Sequence, residues 1–490
     1  MTTIRFTAAL LAAAALPLSP VAAQESATEY LLAQGGTLVV EDMADLSPEE
    51  DATRAILMEH VKVLASDAYQ GRKPGTEGGR MTVAYQVAKL KEYGYEPGWN
   101  GGYEQPVEFA TTGGTTAALT VNGKAFRKGR VAVVGGGTQN LSDASIVRVS
   151  DAANMGDVAG KIVLVGDFAK ARALIGPARD AGAVGAIVYA DEESYNSFSA
   201  GAQRERTSLA NAAGDAPMSL LMLDPPAAKA MEKAVGKKPA RLSAAFTGNN
   251  GSFTSSNVIA KLPGSRPEAG AIVMLAHWDH TGMCGDEGAE DRVCNGAVDN
   301  ASGVAAMLET ARRLAAGPQL ERDVYIFGTT AEELGLLGAT YFAQNPPVPL
   351  ENIHAALNLD TVAIAPANAP LSVIGWERTP LDNSIRGVAA ARGRTVEVED
   401  ESEKYIRRQD GWALMNRGVP TVLVSSSFGD NAAFDTYMST RYHGPSDQIW
   451  EGFELGGVTT DIAVYVDLMR HWGAEALYSK PAGWAFDNGG

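Results

Sequence analysis

The feature that most restricts the fold is a series of short apolar runs without polar interruption, set between longer amphipathic stretches from Ser256 onward. "AIVMLAH" (271–277), "DVYIFG" (323–328), "IHAALNLD" (353–360) and "VPTVLVS" (419–425) each have strand length. "ASGVAAMLETARRLAAGP" (301–318) has helical texture and is stopped by Gly317 and Pro318. A strand with one wet face alternates apolar and polar residues, whereas a strand covered on both faces has no reason to. Continuous runs separated by helices therefore predict an α/β fold, with a mostly parallel central sheet covered by helices on both faces. Further helices are expected over about 48–64, over "MTVAYQVAKLKEYG" (81–94), which Gly94 closes, and over "GGVTTDIAVYVDLMRHW" (456–472).

Between about 115 and 250 the texture changes. Short runs such as "VAVVGGG" and "KIVLVGDF" precede "AKARALIGPARDAGAVGAIVYAD", a helix and a strand joined at Gly182 and Gly185. This reads as a smaller, β-rich α/β domain inserted into the larger one. The segments are then 1–23, 24–45, 46–114, 115–250 and 251–480. The first carries Arg5, an apolar stretch from Phe6 to Leu18, and Val21-Ala22-Ala23 before Gln24. That pattern predicts a secretory signal peptide, too short for a membrane span, and hence a protein exported to the periplasm or secreted. Residues 24–45 read as a mobile start of the mature chain. No later stretch reaches the ~20 apolar residues of a spanning helix, so no membrane partner is expected.

With 490 residues, 45% of them hydrophobic, the chain can build a large core, and its net charge of −17 argues against nucleic acid or anionic lipid as a partner. Cys284 and Cys294 are the two cysteines. In an oxidising compartment a close pair is expected to form a disulfide. The acidic run "EVEDESEK" (397–404) reads as a solvated loop.

In open α/β sheets, ligands gather beyond the carboxyl ends of the strands. "MLAH" ends there in His277; "NGAVDNASG" carries Asp299 into the next helix; "YIFGTT" leads to Glu332 and Glu333; "ALNLD" ends in Asp360; and "YHGPSD" offers His443. Two imidazoles and four carboxylates at one sheet edge make a poor core, because buried unpaired carboxylates are costly, and cations relieve that cost. If Asp299, Asp360 and Glu333 are ligands together with a bridging hydroxide, two divalent cations balance the charge. Nitrogen and oxygen donors without thiolates point to zinc, and a shared carboxylate such as Asp299 can hold two ions at the ~3.5 to 4 Å spacing of hydrolytic pairs.

The order of His277-x-Asp279, "GAVDNASG", "EELGLLG", "NLD" and "YHGPSD" resembles the co-catalytic di-zinc aminopeptidase family, exported exopeptidases that share the zinc exopeptidase fold with zinc carboxypeptidases. The likeness spans roughly 252–450. "LASDAYQGRKPGTEGGR" is similar to the segment preceding that catalytic core, and "KIVLVGDF…ARDAGAVGAIVY" resembles the protease-associated domain often inserted there. The resemblance implies two Zn2+ per chain. His277 and Asp360 would hold one, Glu333 and His443 the other, with Asp299 as bridge, Glu332 as general base, and Asp279 orienting His277 from behind. It also implies peptide substrates with a free N-terminus. His280, three residues after His277, matches no ligand of the family and is read as structural, as are His60, His354 and His471. Where many members carry Ser-Asp-His, this chain has Gln409-Asp410-Gly411, which leaves the adjoining subsite open. A related zinc carboxypeptidase, a glutaminyl cyclase and a receptor-like binding protein remain alternatives.

Overall fold

The structure is a computed structural model describing residues 46–134, 140–202, 204–211, 218–236, 239–398, 404–428 and 432–487. The expected signal peptide, the segment 24–45 and residues 399–403 of the acidic run lie outside the described residues. The chain forms two compact units, one of Met1–Val107 with Thr254–Gly490 and one of Glu108–Phe253.

In the first unit the helices are α1 (Leu46–Leu64), α2 (Glu77–Glu92), α3 (Gly303–Ala316), α4 (Leu337–Gln344), α5 (Asp382–Ala391), α6 (Gly411–Met415), α7 (Ala432–Thr440) and α8 (Gly456–Gly473). The strands are β1 (Ala240–Leu262), which enters this unit at Thr254, β2 (Ala271–His277), β3 (Asp323–Thr329), β4 (Ile353–Asn358), β5 (Leu371–Ile374) and β6 (Thr421–Ser425). They run in the order β5-β6-β4-β2-β3-β1, with Val396–Glu397 beyond β5. The four central strands, β6, β4, β2 and β3, are mutually parallel, while β1 and β5 run antiparallel to their neighbours β3 and β6.

The uninterrupted apolar run of β2 follows from this architecture. Ile272, Met274 and Ala276 enter one hydrophobic cluster with residues of α1, α3 and α8, whereas Ala271, Val273 and Leu275 enter a second with Ala339 and Phe342 of α4 and Leu414 of α6. Each side chain sits on a buried face, so no position favours a polar residue. Register then aligns the strand ends: His277 pairs with Thr329, and Leu275 with Asn358. Whatever follows these residues emerges at one edge.

In the second unit the part of β1 before Thr254 pairs antiparallel with Leu141–Arg148. Leu141–Arg148, Ile162–Val165, Gly185–Tyr189 and Ser219–Leu223 are parallel in that order, and Val131–Val134 closes the edge antiparallel. Helices Phe168–Asp180 and Pro225–Val235 cover opposite faces, each over its own apolar cluster. Asp167 and Asp224 cap these helices through side-chain oxygens that accept from Ala169 N and Ala227 N.

Candidate metal centre

Five sequence segments meet where β2, β3 and β4 end. β2 delivers His277 directly, and its neighbour Trp278 is tied to β3 through Trp278 N, which donates to Thr329 O at 3.0 Å. Asp299 lies in the turn preceding α3. That turn is pinned by Asp447, whose Oδ1 accepts from Val298 N at 2.9 Å and whose Oδ2 accepts from Asp299 N at 3.1 Å and from Tyr437 Oη at 2.9 Å. Asn300 joins it to the end of β4, since its Oδ1 accepts from Gly303 N and from Thr361 N and its Nδ2 donates to Leu359 O. The same turn thereby carries Asp299 and fixes the approach of Asp360.

The Asp299 carboxylate faces two ways. Its Oδ1 stands 3.3 Å from His277 Nε2, and its Oδ2 stands 3.3 Å from His443 Nε2. His277 Nε2 is also 3.4 Å from Asp360 Oδ1, and His443 Nε2 is 2.9 Å from Glu333 Oε2. His280 joins them: its Nδ1 is 2.7 Å from Glu333 Oε1 and 3.9 Å from Asp299 Oδ2. Two groups with donor atoms within 4.8 Å of one another result, His277-Asp299-Asp360 and His280-Asp299-Glu333. Among the described residues these are the clusters able to hold a metal ion, and both lie in the first unit.

Behind the cluster sits a buried cation that the sequence reading did not single out. Arg72, fully buried, donates to the carbonyl oxygens of Leu64, Trp278, Asn295 and Gly296. It thus clasps the loop after His277 to the loop before Asp299. Burial lowers its pKa to about 10 against the raising effect of Asp447, Asp299, Asp279 and Glu333, so it stays charged at neutral pH. The signal for it was present in "YQGRKPGTEG"; what the sequence could not show was that the arginine points inward.

The two adjacent glutamates are separated by backbone geometry. Ala331 turns the chain off β3 with a φ of 58°, a left-handed conformation unfavourable for alanine. The following two amides then point at Asp279, whose Oδ1 accepts from Glu332 N at 3.1 Å and Oδ2 from Glu333 N at 3.4 Å. This changes the role expected for Asp279. Its backbone carbonyl, at 3.2 Å, is the partner of His277 Nδ1, while its carboxylate is 4.0 Å from that nitrogen. Two amide donors on the glutamate turn compete for the carboxylate and win it. Asp279 thus meets His277 through its main chain and the glutamate turn through its side chain.

The electrostatics are those of a site short of positive charge. Burial alone would lower the His277 pKa, but Asp360, Glu332 and Asp299 raise it well above 6.5. Burial opposes a charge on His443 too, and contacts with Asp299 and Glu333 lift it to about 10. Burial, with Asp410, Glu333 and Asp360 adding repulsion and His277 opposing, holds Glu332 well above the usual carboxyl range. Protons here do what divalent cations would do better. Donors 2.0–2.2 Å from one ion in tetrahedral arrangement stand about 3.3 to 3.6 Å apart, the separation of the His277-Asp299, His277-Asp360 and His443-Asp299 atoms, while Glu333 stands closer to its imidazoles, 2.9 Å from His443 and 2.7 Å from His280.

Cys284 and Cys294 form a disulfide with Cα atoms 5.7 Å apart, closing the hairpin of Gly282–Met283 and Val293–Cys294. Cys284 Sγ lies 3.3 Å from the His443 carbonyl oxygen, so the bridged loop packs on the segment carrying that imidazole. Gln409 and Asp410 are buried: the Gln409 amide joins Asn358 to Gly411 N, and Asp410 Oδ2 accepts from Thr329 Oγ1.

Residues 257–458 match the peptidase family M28, and residues 115–221 match the PA domain. The segment 257–458 is thus similar to peptidase family M28. A co-catalytic zinc peptidase core with an inserted PA domain accounts for both matches and for the two compact units. Among curated proteins the chain is 32% identical over 184 residues to leupeptin-inactivating enzyme 1 of Streptomyces exfoliatus, covering 36% of this chain and 38% of that protein. It is 37% identical over 158 residues to a probable zinc metalloprotease of Pyrenophora tritici-repentis, covering 31% of this chain and 32% of that one. The aligned part thus spans about a third of each relative. The fold is that of an aminopeptidase from Aneurinibacillus sp. strain AM-1, matched with a TM-score of 0.51 and 18% identity over 89% of this chain and 98% of the other.

Proposed function

We propose that this protein is an exported di-zinc aminopeptidase that hydrolyses the N-terminal residue from peptides. The observation that carries the reading is the shared Asp299 carboxylate, with one oxygen facing His277 and Asp360 and the other facing His443 and Glu333. Bound there, two zinc ions would polarise the scissile carbonyl and lower the pKa of an attacking water toward neutrality.

The residues supply the rest. Glu332 is next to the cluster without belonging to either donor group, which suits a group that moves a proton. We assign it as general base: one carboxylate oxygen takes the proton from the attacking water, and the carboxyl then returns it to the leaving amine. Positive charge in the site draws its pKa back down from the raised value, so that it is ionised when the site is loaded. Asp279 keeps the carboxylate aimed through the amide of Glu332. Specificity for a free α-amine rests on the likeness to the aminopeptidases and on the acidic surroundings. Export rests on the pattern of the first 23 residues.

A panel of aminoacyl-nitroanilides, their N-acetylated forms and C-terminal reporters tests the reading. The free-amine substrates are expected to be cleaved, to lose cleavage on chelation and to regain it with zinc. Cleavage of the N-acetylated set at an equal rate, or release of C-terminal residues instead, overturns it.

A further inference from the structure

The second imidazole of "HWDH" has no part in the mechanism above, yet the fold invests in it. His280 is 1% exposed, and neither ring nitrogen has a hydrogen-bond partner; Glu333 Oε1, 2.7 Å from His280 Nδ1, has none either. A nitrogen and a carboxylate oxygen that close without a hydrogen bond are misdirected for sharing a proton. Leaving both unpaired in a buried site is costly. With Asp299, whose Oδ2 is 3.9 Å from His280 Nδ1, they form a group whose donor atoms all lie within 4.8 Å of one another.

His443 reaches the same carboxylates from the solvent side, its side chain 38% exposed, and its ring lies 5.7 Å from the His280 ring at 67°. The loop closes tightly over His280: Gly296 has a φ of 56°, and a Cβ there would run into the His280 ring and the Asp299 carbonyl. Around Asp299 Oδ2 the chain therefore gathers four side chains, Asp299, Glu333, His280 and His443. Around Asp299 Oδ1 it gathers three, Asp299, His277 and Asp360.

We propose that His280 is a ligand of the cation held by Glu333 and His443, so that this position is closed by four protein donors while the position at His277 keeps an open place. The inference rests on the two-cation reading above. Four-coordinate closure by protein groups is the mark of a tightly held ion, and an open place is the mark of the one that meets substrate. The two ions should thus differ in affinity, the one at His280 being retained longer.

The test uses the full-length protein, stripped by chelator and titrated with zinc against a chromophoric competitor, together with zinc X-ray absorption of the loaded form. The unaltered protein is expected to take up two ions in distinct steps, with three imidazoles shared over the two. His280→Phe, which keeps the ring and removes its donors, is expected to weaken the tighter step by more than about 100-fold, beyond the 10–100-fold cost of losing an orienting partner. It should leave the weaker step in place. Two ions with two imidazoles, or a change of about 100-fold or less in the variant, overturns the inference while the two-cation reading stands. Failure of the unaltered protein to bind zinc overturns both. If His280→Phe does not fold, the imidazole count in the unaltered protein decides.

Discussion

Glu332 and Glu333 share a peptide bond and face different chemistry, because the left-handed Ala331 and the two amide bonds to Asp279 splay them at the end of β3. Substitution should separate them. Glu332→Ala is expected to retain zinc and lose about 10²- to 10⁴-fold in turnover, the usual worth of a general base. Glu333→Ala removes an anion that meets both His280 and His443, so it should lose zinc from that position. Metal content and kinetics of the two purified variants check this; equal zinc loss in both would show the division to be wrong. At this scale the sequence was most legible where a strand fixes position. His277 and Asp360 stand at the ends of apolar runs, and their placement follows from the runs. His280 and Arg72 were not legible, since both lie in loops whose spacing defines no face. Only the closed chain shows that one ring is buried against Glu333 and that one guanidinium spans four carbonyls.

Between elements, the same two loops are joined by a single side chain. Arg72→Met would take the guanidinium from four buried carbonyls, of which Gly296 O keeps the amide of Ala301, and the expected loss is at least about 3 kcal/mol, the scale on which breaking a buried charged contact costs. Urea unfolding of the zinc-free protein measures it, and a change below 1 kcal/mol would mean that water replaces the guanidinium without penalty. The packing of α1 on α2 supplies a second prediction. His60 is buried between them, its Nδ1 2.7 Å from Tyr85 Oη and its Nε2 3.4 Å from Tyr93 Oη, and burial lowers its pKa to about 4. The unfolded chain takes up this proton near pH 6.5 and the folded one only near 4. Stability from the neutral ring is therefore complete above 6.5 and lost as pH falls from 6.5 to 4, by up to about 3 kcal/mol. His60→Phe should flatten the decline of melting temperature across that window; an unchanged slope would assign the acid loss elsewhere. The helices and the parallel strands were legible because periodicity reports burial. The loop after β2 is less so: the bonds of the Asp279 carboxylate to the amides of Glu332 and Glu333 depend on a turn that no periodicity encodes.

For the molecule as a whole, the arrangement of cores sets how far the effect of a cation extends. His277, Asp279, His280, Asp299, Glu332, Glu333, Asp360 and His443 all lie in the unit of Thr254–Gly490 and Met1–Val107. The unit of Glu108–Phe253 packs its strands over two apolar clusters of its own and contributes none of them. An ion that binds only the folded site stabilises that fold by mass action, about 4 kcal/mol when present at a thousand times its dissociation constant. Protection gained this way is confined to the structure that must open to release the ion. Zinc removal should therefore raise amide hydrogen exchange around 277–303, 329–338 and 442–447, the segments pinned by Asp279, Asn300 and Asp447. Strands Ile162–Val165, Gly185–Tyr189 and Ser219–Leu223 should keep their protection. Exchange measured by mass spectrometry with and without chelator reads both sets at once. Loss of protection in those three strands on chelation would mean that the units open together, and that the PA domain depends on the metal centre for its stability.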